Sequence, residues 1–197
     1  MAVDPTEVRH EDWGGRVLEQ ESFEHVTFVE VDLSEVVSNG SVFDHCTFQG
    51  VRFNVSEHTS TAFVNCTFRR CTFFDAAFTG CKLVGSTFED CSLDLLKVDG
   101  GDWSFVALVK ADLGSARLAD VRMRECDLRG ARAVNGSLRD LDLSGALLDK
   151  VDLTGCDLRG SDLSSLDVGS ARLTGAIINA DQAVVLAMAQ GLDVRPA

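Results

Sequence analysis

The stretch ADLGSARLADVRMRECDLRGARAVNGSLRDLDLSGALLDKVDLTGCDLRGSDLSS, residues 111–165, places an apolar side chain at every fifth residue: Leu113, Leu118, Met123, Leu128, Ala133, Leu138, Leu143, Leu148, Leu153, Leu158 and Leu163. A helix repeats its apolar face every 3.6 residues and a strand every two. A period of five fits neither. It calls for a backbone that returns each large side chain to one interior after a short extended piece and a turn.

Working outward, the same frame runs from Phe23 to Ile178 over 32 positions, of which 30 are apolar; Ser38 and His58 are the exceptions. It reaches back through Leu18 to Trp13. Chance does not hold one phase for so long, so this is an internal repeat. The residue two before each centre is small or β-branched, as at Val31, Ser41, Ala76 and Ala116, and all seven cysteines fall in that column. Cysteines spread along a repeat act as small hydrophobes, whereas a metal site needs a few that converge. The residue two after the centre is often glycine, as at Gly40, Gly50, Gly80 and Gly130, which suits a turn with positive φ.

Each five-residue unit therefore supplies one small and one large inward side chain and three outward ones. Four such units close one square coil, so position i returns beneath position i+20. One coil cannot bury its own centre, but stacked coils can. Residues 21–180 make eight coils, which at ~4.8 Å each give a rod of roughly 38 Å. Ten centres up to Phe88 are phenylalanine and the later ones are mainly leucine, so stacked rings fill the first half and leucines the second.

The repeats ADLGS, CDLRG, VDLTG and SDLSS, with the phenylalanine variants CTFQG, CTFRR and CTFFD, resemble the pentapeptide-repeat family. The resemblance covers most of the chain and implies an all-β solenoid, a right-handed quadrilateral β-helix, here with a short C-terminal α-helix. The expected organisation is an N-terminal tail over 1–12, the β-helix over 13–178, and a helix and tail for dimerisation over 179–197. The ending DQAVVLAMAQGLDV is similar to that of the mycobacterial fluoroquinolone-resistance branch of the family, in which such a helix pairs two chains, and like that branch, unlike the loop-bearing Qnr proteins, this repeat has no inserted loop. The resemblance also implies a partner, DNA gyrase, a type II topoisomerase.

The helix has its own local signals. Asn179 can cap it, Gln182 stands three residues on, and Gly191 can end it, which predicts Ala180–Gln190. Val184, Val185, Leu186 and Met188 are too many apolar residues for an exposed helix. Part of that surface is expected to seal the last coil and the rest to form a homodimer interface.

The net charge is −13. That disfavours nucleic acid and anionic membrane as partners and favours a basic protein. The segment 1–40 carries ten acids and two bases, the segment 101–140 is nearly neutral, and the segment 141–197 carries eight acids and four bases. Asp142, Asp152, Asp157, Asp162 and Asp167 stand before their centres and are read as outward carboxylates that imitate duplex phosphates for gyrase. Asp142 and Asp162, one coil apart, are expected to stack. A competing reading is a scaffolding solenoid that binds another basic protein, with the acidity incidental.

Catalytic chemistry is not legible. No phosphate-binding glycine loop is present, and serine and aspartate recur too regularly to mark a nucleophile. Enzyme activity, cofactors and metals are therefore not expected. His25 and His45, one coil apart, lack a third ligand. His58 replaces a core residue and is expected to distort its coil, and Gly101 beside Trp103 suggests a bulge. Trp103 itself reads as a core centre. There is no run of about 18 apolar residues and no apolar leader, so the cytoplasm is the default location.

Overall fold

The computed structural model describes residues 7–195. It is a four-sided parallel β-solenoid closed at one end by a single helix. Strands Glu7–Arg9, Thr27–Val29, Thr47–Gln49, Thr67–Arg69 and Thr87–Glu89 stack into the first face. The second face is held by single bridged residues: Asp12 to Asp32, Arg52, Thr72 and Ser92, each one coil from the next. The third face is a seven-stranded sheet from Val17–Glu19 to Ser137–Arg139, and the fourth begins with Ser22–Glu24, Val42–Asp44 and Ala62–Val64. The same one-coil register holds throughout, from Val8 beside Phe28 to Asp157 beside Ile177.

The centres point inward as the period requires. Phe28, Phe48, Phe53, Phe63, Phe68 and Phe73 have no exposed surface. Their rings stack coil on coil: Phe43 on Phe63 at 4.7 Å and 2°, Phe28 on Phe48 at 4.9 Å and 6°, Phe53 on Phe73 at 4.7 Å and 6°. Adjacent faces meet edge to face, as Phe48 does with Phe53 at 5.4 Å. Both arrangements suit the ring quadrupole. On the first face the strands give way to a hydrogen-bonded turn where Phe88 is followed by Leu108, and on the fourth where Phe63 is followed by Leu83.

Three expectations change. The solenoid begins earlier than residue 13: Glu7–Arg9, inside the stretch read as a tail, already pairs with Thr27–Val29 because Val8 is itself a buried centre. Residues 1–6 of that tail lie outside the described residues. His58 does not distort its coil; its strand keeps register with Ser38 and with Phe78. There is no bulge at Gly101 either, since Asp102 stays bridged to Lys82 and Arg122. Gly101 instead allows a close approach: its φ is +97°, and a Cβ there would collide with the Cys81 carbonyl oxygen. Trp103 is a buried centre, stacked 6.1 Å from Phe88, and its Nε1 has no partner.

The corners do not depend on glycine. The residue two after the centre has φ between 49° and 61° at 20 non-glycine positions, including Val55, Leu95 and Phe105. For L-residues this conformation costs roughly 1–2 kcal/mol. The ladder offsets it at 17 of them, where the corner N–H donates to a carbonyl of the next coil, as His10 does to Val29 O at 3.0 Å and Gln20 to Asn39 O at 2.9 Å, and Leu95 N–H donates to Ser115 Oγ at 3.0 Å. Glycine marks some corners, and the coil imposes the same conformation on most of the others.

The helix runs Ala180–Ala189, capped at the other side by Gln190. Asn179 and Gln182 form the predicted reciprocal capping box, 2.9 and 2.8 Å. Gln182 does more than that. Asp162 N–H donates to Leu141 O one coil below, and by register residue 182 would donate to Ser161 O. Its backbone N–H is taken by the cap, and its side-chain Nε2 donates to Ser161 O and Leu158 O instead, 2.7 Å each. The last coil is thus closed by a side-chain amide standing in for the missing next coil, which answers the open-edge problem of a stacked sheet.

Candidate functional site

Asp142, Asp152, Asp157, Asp162 and Asp167 share one local geometry. Each accepts, through Oδ1, the backbone N–H two residues on: from Ser144 at 3.3 Å, Thr154 at 3.2 Å, Arg159 at 3.3 Å, Ser164 at 2.9 Å and Gly169 at 2.9 Å. This is the turn-forming habit of aspartate. The hydroxyls of Ser144 and Thr154 donate to the same oxygens at 2.6 and 2.7 Å. The repeated aspartate therefore builds the turn before it offers charge to a partner.

Arginines then neutralise three of the five. Arg124 Nε lies 2.5 Å from Asp142 Oδ2, and Arg172 Nη1 lies 3.5 Å from Asp152 Oδ2. Asp157 takes a two-pronged pair from Arg159, 2.9 and 2.7 Å, with Arg139 3.8 Å away. The Arg159 guanidinium, with the turn N–H and the Arg139 cation behind it, holds the Asp157 carboxyl down at about 2. The other CDLRG repeat uses the same device, with Arg129 forked onto Asp127. Along the columns of the second and fourth faces the signs alternate, as the backbone pairing sets Asp102 beside Arg122 and Arg122 beside Asp142, and Asp112, Arg132, Asp152 and Arg172 in succession. Asp142 and Asp162 do share a column, but no unbroken row of phosphate-like charges runs beneath them. Asp167 lies beyond the first-face ladder, whose last bridged pair is Asp127 and Leu147.

The less neutralised acidity lies at the other end. Glu11, Asp12, Glu30 and Asp32 line an open groove along the edge between the first and second faces, with His10 and Arg52 beside them. Arg52 pairs with Asp32 at 2.7 Å and holds that carboxyl at about 2. Six coils away on the same edge, Arg132, Lys150 and Arg172 surround Asp152. That edge therefore passes from acidic to basic along the rod. A count by segment predicts the acidic end; the alternation with arginine emerges only when the register is applied column by column.

On the helix, Val184, Val185 and Met188 are exposed, followed by Leu192 and Val194. Leu186 is not part of that surface: it packs against the solenoid core, one turn on from the buried Gln182. The four residues expected at a dimer interface thus divide, three outward and one inward, because positions 182 and 186 share the face that meets the last coil.

The cysteines are unpaired, and six of the seven are buried. Burial pushes the Cys81 thiol up to about 11 and those of Cys126 and Cys156 to about 12. They behave as core atoms. His25 and His45 lie with ring centroids 5.1 Å apart, and among the described residues no group of three or more His, Cys, Asp or Glu is placed to hold a metal. No helix among them is long and apolar enough to cross a membrane.

The repeat geometry defines a class, and comparison with known proteins agrees. The pentapeptide-repeat family model matches residues 108–140 and 137–175, so that part of the chain is built of pentapeptide repeats. A second family model, the SV2A/B/C luminal domain, matches the phenylalanine-rich part, residues 14–93. Among solved structures the chain is similar to a trypsin-treated form of QnrB1, a plasmid-mediated fluoroquinolone resistance protein, with 20% identity, TM-score 0.75, and 97% and 98% of the two chains covered. Full-length QnrB1 gives 19% identity and TM-score 0.58 over 94% and 100%. HetL, a pentapeptide repeat protein involved in heterocyst differentiation regulation in the cyanobacterium Nostoc, gives 21% identity and TM-score 0.53 over 86% and 84%. No curated protein sequence matches the chain.

Proposed function

We propose that this chain is a DNA-imitating binding protein that, as a homodimer joined through its C-terminal helices, engages DNA gyrase in place of a duplex and so confers resistance to fluoroquinolone-type poisons. The reading rests on the end-to-end similarity of fold to QnrB1. A stiff acidic rod and an exposed apolar helix face support it. The geometry moves the expected contact: the C-terminal aspartates are tied into turns and three are paired with arginine, so the groove of Glu11, Asp12, Glu30 and Asp32 presents the stronger negative field. In a dimer joined at the helices these grooves would lie at the two tips.

The alternation of Asp and Arg along the columns favours a second reading, a scaffolding solenoid for another basic protein, in which the charges serve mainly the stack. A supercoiling assay with purified gyrase, with and without a fluoroquinolone, separates the two. Inhibition or drug protection at micromolar protein supports the first; neither effect removes it. Met188→Arg should turn the dimer into monomer in sedimentation, and a wild-type monomer would remove the pairing.

A further inference from the structure

We propose that the edge between the second and third faces, at Val55, Phe74 and Leu95, is a docking site for a protein segment that carries an apolar side chain flanked by lysine or arginine. These three side chains are 46%, 49% and 44% exposed. Val37, 42% exposed, stands close by on the third face.

Exposure of single apolar residues is ordinary, but two of these sit where the backbone also disfavours them. Val55 and Leu95 both have φ 59°. They stand one coil to either side of Asp75 in a corner column that otherwise reads Gly15, Glu35, Asp75, Ser115, Asn135, Gly155 and Gly175. Every other member is small or polar. A β-branched residue in the left-handed region is an outlier, and Asn, Asp or Gly satisfies both the conformation and the solvent. The left-handed corner is shared along most of the column, so what sets these two positions apart is an exposed apolar side chain where the column otherwise places a small or polar one, on either side of the exposed Phe74. Such a coincidence points to a surface that is covered in use.

The rim says by what. Glu35 lies one coil from Val55 in the same column, Glu57 follows two residues after it, and Asp94 stands one coil from Phe74 and next to Leu95. Among the described residues none of the three takes part in an ion pair; only Asp75 does, with Lys97 at 2.5 Å. An apolar seat edged by unneutralised carboxylates fits a cationic partner. It does not fit a second copy: this chain is −13 overall, and its own exposed apolar helix carries Asp181 in its first turn and is followed by Asp193. Val55 and Leu95 are two coils apart, roughly 10 Å, so the seat takes one or two side chains of a short segment.

The test uses the full chain and two fluorescent synthetic peptides, one with leucines flanked by lysines and one with serines in place of the leucines. The lysines give both peptides the same general attraction to an acidic protein, so the readout is the preference between them by anisotropy. Wild type is expected to bind the leucine peptide at least tenfold more tightly, and Phe74→Ser/Leu95→Asn to bind both equally. Asparagine is favoured in the left-handed corner, so that variant should melt no lower than wild type. Equal binding of both peptides by wild type, or an undiminished preference in the variant, overturns the proposal. So does sedimentation in which only the variant loses a dimer, since the seat would then belong to a second copy. The gyrase assay does not enter, so either idea can fail alone.

Discussion

His58 Nδ1 lies 2.7 Å from the hydroxyl of Ser38, directly one coil away in a column of core centres. Serine leaves room beside the imidazole, whose other face stacks on Phe78 at 4.7 Å. His58 Nε2 is 3.0 Å from Ser56 Oγ, which itself donates to Phe53 O at 2.6 Å. Ser56 Oγ therefore accepts from Nε2–H, and Nδ1 accepts from Ser38, which fixes a neutral tautomer. Thr61 completes the set, 2.8 Å from Ser38 Oγ. Two apparent defects in the apolar frame are one satisfied polar cluster.

Burial holds the His58 imidazole down to about 3. A base depressed in the folded state contributes stability above its unfolded pKa of about 6.5 and loses it as pH falls toward 3, because the unfolded chain binds the proton first. From pH 7 to pH 4 the loss should be about 3 kcal/mol. Carboxylates such as Asp32 and Asp157, held at about 2, act only lower, as pH falls from 3.8 through 2. Urea unfolding across this range should show the early loss in wild type and not in His58→Phe. Parallel pH curves for the two would refute the assignment.

Gly101→Ala should destabilise the rod by about 2–4 kcal/mol, because the new Cβ runs into the Cys81 backbone and the φ of +97° is strained for alanine. Gly100→Ala is the control: it also has positive φ, but nothing lies within 4 Å of its Cβ. Chemical denaturation of both variants gives the comparison, and equal costs would mean that the close approach to Cys81 is not real.

Gln182→Ala should leave Leu158 O and Ser161 O without their side-chain donor and undo half of the capping box. A cost of about 1–3 kcal/mol is expected. In a solenoid each coil contacts only its neighbours, so the effect should be local. Hydrogen exchange should speed up over the last coil and the helix and stay unchanged in the phenylalanine-stacked coils. A uniform increase along the chain would contradict the capping role.

Asp142, Asp152 and Asp162 changed together to Asn should keep the melting temperature close to wild type, since the amide oxygen still accepts the turn N–H. The same three changed to Ala should lower it. If these carboxylates contact gyrase, the Asn variant loses affinity while remaining folded. If their role is the turn alone, only the Ala variant is altered in any assay.

The period of five, once its phase is set, leads to the square coil, the inward columns, the cysteine environment and the capped helix. Those depend on volume and polarity at set positions, which are plain in the residues. The roles of the aspartates depend on which nearby group the carboxylate meets. Asp152 has the choice of solvent, Thr154 N–H and Arg172, and the choice is made by backbone turn geometry that composition does not carry. His58 is visible as an exception, but one partner stands two positions before it and the other a full coil before it, so only the stacked register brings Ser56 and Ser38 to it together. Leu186 lies outside the expected interface for a similar reason: its direction follows from where Gln182 anchors the helix.

The constant register has a consequence for length. Deleting or duplicating one whole coil leaves every column aligned and changes the separation of the two ends by a fixed step, ~4.8 Å. A change of one five-residue unit keeps the interior but turns everything beyond it by a quarter revolution, carrying the helix to another side. The molecule is thus a graduated gauge: whole-coil edits reset its span at constant azimuth, and single-unit edits reset the azimuth with only a quarter of that step in span.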